Sequence, residues 1–87
     1  RGQGEWVLVV EDDEAVRSFV AQVLADLGYQ THEAASASEA LELLGRKVRV
    51  DLLLTDVVLA GGTNGAELAR RAVEARPGLR LLFMSGY

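Results

Sequence analysis

The stretch Val50-Asp51-Leu52-Leu53-Leu54-Thr55-Asp56-Val57-Val58 constrains this chain more than any other. A short apolar run bounded by charged and loop residues reads as a strand buried on both faces, as a parallel sheet requires. It carries Asp56, an acid that has no structural reason to follow it. In an open α/β sheet, the carboxyl end of a central strand is where ligands and chemistry gather. Trp6-Val7-Leu8-Val9-Val10 is a second uninterrupted apolar run, and it too ends in acid, at Glu11-Asp12-Asp13-Glu14.

The segments between these runs read as helices. Asp13 is a suitable N-cap for a helix whose apolar residues, Val16, Phe19, Val20, Val23, Leu24 and Leu27, recur in steps of three and four and make one face of an amphipathic helix. Gly28 is its stop. Tyr29-Gln30-Thr31-His32-Glu33-Ala34 is a more polar strand suited to a sheet edge. Ser36-Ala37-Ser38-Glu39 is a capping-box sequence ahead of a short helix that buries Ala40, Leu41 and Leu44 and ends at Gly45. Beyond Asp56, the Gly61-Gly62 pair implies a tight, mobile loop, and Asn64-Gly65-Ala66-Glu67 caps a third helix through Leu68, Ala69, Ala72 and Val73. That helix stops before Pro77-Gly78, and Leu79-Arg80-Leu81-Leu82-Phe83-Met84 is a fourth strand ending at Ser85-Gly86-Tyr87.

The order β-α-β-α-β-α-β, with connections of crossover length, predicts a parallel sheet with helices on its faces and right-handed crossovers. Residues 1–5 read as a flexible lead-in, and one domain follows. A formal net charge of −4 gives no general attraction to nucleic acid or to an anionic membrane. No cysteine is present, which excludes disulfides and thiolate metal sites and is compatible with a reducing cytoplasm. No apolar run reaches membrane-spanning length.

A parallel sheet brings the ends of its strands to one edge, so Glu11, Asp12, Asp56 and Ser85 are expected to converge. Carboxylates placed together repel, and desolvation makes the ionised cluster still less favourable. A cation relieves such a group. Oxygen ligands without His or Cys suit a hard ion, and Mg²⁺ characteristically takes one or two carboxylates with water and phosphate oxygens. A carboxylate is also a nucleophile towards phosphorus, and a hydroxyl such as that of Ser85 is a donor for a phosphoryl oxygen.

Together, Val7-Leu8-Val9-Val10-Glu11-Asp12, Leu53-Leu54-Thr55-Asp56, Asn64-Gly65 and Phe83-Met84-Ser85-Gly86 resemble, in identity and spacing, the receiver domain of bacterial response regulators and hybrid histidine kinases. The resemblance runs from about Trp6 to Tyr87. It implies a flavodoxin-like α/β sheet in the order 2-1-3-4, an order that comes with the resemblance rather than from spacing, because it is defined on members of this same family. It makes Asp56 the acceptor of a phosphoryl group from the phosphohistidine of a histidine kinase or histidine phosphotransfer domain. Mg²⁺ is the implied cofactor, held by Asp12, Asp56 and the backbone carbonyl of Val58 with assistance from Glu11. Ser85 matches the switch hydroxyl and Gly86 the small residue that leaves the site accessible.

The chain departs from the family at Ala60, where proline is common, and at Thr63, where methionine is common. The family's fifth strand, with its lysine, and its last two helices find no match before Tyr87, so residues 6–87 are expected to form a partial receiver domain. An exposed fourth strand then predicts poor stability or a homodimer through that edge. Two other functions compete with the phosphoacceptor: an interaction module without phosphorylation, and an aspartate-nucleophile phosphatase. The second needs an acid two residues after the nucleophile, and Val58 stands there.

Overall fold

Each apolar run becomes a strand, and each periodic segment a helix. The computed structural model describes residues 4–56 and 65–84. In chain order the elements are β1 (Trp6–Val10), α1 (Glu14–Asp26), β2 (Gln30–Ala34), α2 (Ala37–Leu44), β3 (Leu52–Asp56), α3 (Gly65–Ala75) and β4 (Arg80–Met84). All pairings are parallel and the strand order is β2-β1-β3-β4, a flavodoxin-like sheet. Among the described residues, no helix is long and apolar enough to cross a membrane.

Alternation along the strands divides the core into two layers. Leu8, Val10 and Leu53 face Ala40 and Leu44 of α2 and Leu68 and Ala72 of α3. Val7, Val9 and Leu54 face the other side, where Val20 and Leu24 of α1 cover them. Handedness explains the split. The chain moves outward from β1 to β2, then crosses back to β3 and on to β4, so right-handed connections put α1 on one face and α2 and α3 on the other.

Helix ends follow their capping residues. Asp13 Oδ1 accepts from the backbone N–H groups of Ala15 and Val16 at 2.9 and 3.1 Å. Gly28, just past the C-cap Leu27, has φ +96°, which a side chain would strain. Ser36 Oγ accepts from Glu39 N–H at 3.1 Å, but Glu39 Oε1 reaches Ala35 N–H rather than that of Ser36, so the capping box is displaced by one residue. Just ahead of β3, Asp51 donates its backbone N–H to the Trp6 carbonyl at 2.8 Å, and its carboxylate accepts from Trp6 N–H at 2.8 Å.

Only part of the apolar stripe of α1 is covered: Val20 and Leu24 are half-buried, while Val16, Val23, Leu27 and Phe19 are exposed, Phe19 at 69%. α1 rests on β1 and β2, and among the described residues no element covers the half of the stripe turned away from them. Val73 of α3 is likewise exposed, whereas Leu68, Ala69 and Ala72 are buried as expected. Among the described strands β4 lies outermost, with Leu81, Leu82 and Phe83 exposed.

Candidate functional site

The strand order reverses between β1 and β3, and an open α/β sheet has its crevice at the carboxyl ends of the strands flanking that reversal. Glu11 follows β1 directly, and Asp56 is the last residue of β3. Pairing in register, Val10 with Thr55, sets Glu11 and Asp56 at the same level on adjacent strands.

Glu11 is 7% exposed. Its backbone N–H donates to the Ala34 carbonyl at 3.1 Å and so prolongs the ladder with β2. Its carboxylate Oε2 accepts from Asp13 N–H at 3.0 Å. Burial pushes the Glu11 carboxyl above its ordinary value; the Asp13 N–H opposes this, while the nearby carboxyl of Asp12 and the charge of Asp56 reinforce it. The acids thus act on one another across two strands. Asp12 is exposed at the rim and Asp56 is half-buried. Among the described residues, no group of three or more acids, histidines or cysteines is drawn into a ready metal cage. The charge of Asp56 acts on Glu11 across the strand pair, and with Asp12 these acids form an anionic rim. Asp13 stands apart in role, because its side chain is committed to capping α1.

Val58, Ser85 and Gly86 lie outside the described residues, as do Ala60, Gly61-Gly62-Thr63 and Asn64. Thr55 is buried on the α2–α3 face, its Oγ1 donating to the Asp56 carbonyl at 3.1 Å.

Sequence reasoning missed Arg17. Its side chain is 16% exposed; Nη1 donates to the Glu11 carbonyl at 2.8 Å and Nε pairs with Glu33 Oε1 at 3.3 Å. This guanidinium anchors the backbone that carries Glu11 and Asp12. The available signal was its place, one turn into the helix that follows the acids. Other polar groups serve the scaffold. His32 stacks on Trp6 with ring centroids 4.4 Å apart, and Arg70 and Arg71 pair with acids on their own helix. His32 Nε2 lies 3.2 Å from the Arg49 carbonyl, an acceptor, so the bonded tautomer carries its proton there.

A cavity of about 560 Å³ opens at the opposite edge of the sheet, where Tyr29, Arg49, Asp51, Leu52 and Arg80 line it. The rim acids do not contribute to it.

Residues 7–87 match the family profile of the response regulator receiver domain. The chain is 40% identical over 82 residues to the sensor kinase CckA of Brucella abortus (strain 2308), which covers 93% of this chain and 9% of that protein. It therefore spans a small part of that relative's length. The crystal structure of the receiver domain from the hybrid histidine kinase CckA superposes with a TM-score of 0.85 at 37% identity, covering 94% of this chain and 76% of that one. A response regulator from Burkholderia pseudomallei, solved with a phosphorylated aspartic acid, a calcium ion and citrate, superposes with a TM-score of 0.84 at 29% identity, covering 95% of this chain and 48% of that one. With a profile match from β1 to the end of the chain, and strand-end acids meeting where the sheet order reverses, this chain belongs to the response regulator receiver domain family.

Proposed function

We propose that Asp56 accepts a phosphoryl group from the phosphohistidine of a histidine kinase or histidine phosphotransfer domain. A carboxylate oxygen of Asp56 attacks phosphorus in line. The P–N bond breaks with its electron pair on the imidazole nitrogen, which takes up a proton, and an acyl phosphate remains on Asp56. Such a transfer needs charge neutralisation and positioning more than covalent machinery. The observation that carries this reading is the β1–β3 register, Val10 beside Thr55, which sets Glu11 and Asp56 at one level on adjacent strands with Asp12 next in the chain.

Glu11, Asp12 and Asp56 offer oxygen donors alone, which fits a hard divalent cation such as Mg²⁺. Bound there, Mg²⁺ supplies positive charge to the phosphoryl oxygens. Family resemblance adds the carbonyl of Val58 to the donor set and makes the Ser85 hydroxyl the donor that moves to the phosphoryl group. The aspartyl phosphate and calcium ion of the Burkholderia relative support the same chemistry. Arg17 holds the Glu11 backbone in place, and an additional negative charge on Asp56 then biases the neighbouring loops. The kinase partner sets the place of action in the cytoplasm.

The test is intact-mass measurement after incubation with a small acyl-phosphate donor and Mg²⁺. One phosphoryl group is expected on the parent chain and none on Asp56→Asn. Undiminished labelling of that variant rules out Asp56 as the acceptor.

A further inference from the structure

β1 bonds to β2 through alternate residues. At one end of this ladder the Gln30 N–H donates to the Glu5 carbonyl at 2.9 Å, and at the other the Glu11 N–H donates to the Ala34 carbonyl at 3.1 Å. With Val10 beside Ala34, the next rung of a parallel ladder would run from the Ser36 N–H to the Glu11 carbonyl. Among the described residues no backbone N–H makes that bond. β2 ends at Ala34, and Ser36 is already the N-cap of α2. A side chain takes the place of the rung: Arg17 Nη1 donates to the Glu11 carbonyl at 2.8 Å.

This carbonyl belongs to the peptide that joins Glu11 to Asp12, so the bond fixes how the chain leaves β1 and where the side chain of Asp12 starts. Arg17 is itself held. Its side chain is mostly buried, and its Nε pairs with Glu33 Oε1 on β2 at 3.3 Å. A planar guanidinium serves both acceptors from separate nitrogens of one fork. The residues flanking Asp12 have further ties: Asp13 N–H donates to Glu11 Oε2 at 3.0 Å, and Asp13 Oδ1 caps α1. Asp12 itself is exposed at the rim, and the peptide that Arg17 grips is the one that delivers it there.

We infer that Arg17 is a positioning residue for the divalent cation of this rim: its bond to the Glu11 carbonyl sets Asp12 in line with Glu11 and Asp56, and Glu33 steadies Arg17. The inference rests on the cation reading given above. Charge and position predict opposite signs for the loss of Arg17. A guanidinium near an anionic rim repels a divalent cation, so as a charge alone its removal tightens binding. As the holder of the peptide, its removal loosens the ligands and weakens binding. Glu33 offsets the charge of Arg17, which leaves position as the larger effect.

Mg²⁺ is titrated into this chain and followed by the backbone amide resonances of Asp12 and Asp13, and amide hydrogen exchange is measured without the cation. Arg17→Met is expected to raise the Mg²⁺ Kd by about tenfold or more. Arg17→Lys keeps the charge but has one nitrogen in place of the fork, so its Kd falls between those of parent and Arg17→Met. In the cation-free Arg17→Met protein, exchange at the Glu11 and Asp13 amides quickens by about tenfold, while Val7 and Val9 within β1 keep the parent's rates. Equal quickening along the whole of β1 means a general loss of stability and overturns the positioning role. A Kd for Arg17→Met at or below the parent's also overturns it and leaves the cation site standing. If circular dichroism shows Arg17→Met unfolded, Arg17→Lys decides, and a parent-like Kd overturns the inference. A parent chain without saturable Mg²⁺ binding overturns the cation site, and the role of Arg17 with it.

Discussion

Arg76 ties the end of α3 to the connector that feeds β3, and its removal has a calculable cost. Its Nε donates to the Leu44 carbonyl at 3.2 Å, and its Nη2 donates to those of Arg46 and Val48 at 2.8 Å each. Those carbonyls belong to the last residue of α2 and to the turn behind it, where the backbone has left one ladder and not yet joined another. The bonds to Leu44 and Val48 are part-buried, and the one to Arg46 is exposed. In Arg76→Met the stem remains, water takes over at Arg46, and two part-buried acceptors lose a charged donor. At about 1 kcal/mol for each buried acceptor, the loss is about 2 kcal/mol. With a urea m-value of about 1 kcal/mol/M for a domain of this size, the midpoint falls by roughly 2 M at unchanged m. Arg76→Lys, with no planar fork, recovers about half of this. Urea titration followed by far-ultraviolet circular dichroism measures it. A midpoint for Arg76→Met within about 0.5 M of the parent refutes the reasoning, because it means that water replaces all three bonds without penalty.

Leu53 is fully buried on the central strand, so Leu53→Ala is expected to lose about 3 kcal/mol or more in the same titration. Phe19 is 69% exposed, so Phe19→Ser is expected to move stability by no more than about 0.5 kcal/mol; a larger loss shows that something covers this face of α1. Glu11→Gln is expected to stabilise the cation-free protein at neutral pH and to blunt the stabilisation brought by added Mg²⁺. The sign follows from the raised Glu11 carboxyl: its ionised form opposes folding above the folded-state pKa, and that penalty disappears as pH falls through this value towards the unfolded 4.5. The stability difference between variant and parent therefore shrinks on acidification, and a difference that grows instead contradicts the assignment.

Several features were legible in the chain because each depends on local pattern. Two-sided apolar runs mark β1 and β3, the capping residues Asp13 and Ser36 mark helix starts, and glycine after α1 marks its end. The acids after β1 and at the end of β3 were legible as a site because parallel strands deliver their carboxyl ends to one edge. Which residues of the α1 stripe are covered was not legible from periodicity. Periodicity reveals that a helix has an apolar face, but what the face meets depends on which strands lie beneath it, and the stripe of α1 is wider than the surface that β1 and β2 present.

By itself, then, the sequence determined the element order, the fold class and the acids at the strand ends, since propensity, capping and two-fold alternation act over a few residues. Tertiary structure alone decided the burial of Glu11 at the end of β1, the anchoring of the Glu11 backbone by Arg17, and the clamp of Arg76 on carbonyls about thirty residues away. The physical reason is distance along the chain. Desolvation, Coulomb repulsion and a guanidinium's choice of acceptor depend on groups that only the folded backbone brings together, and no local pattern encodes which they are.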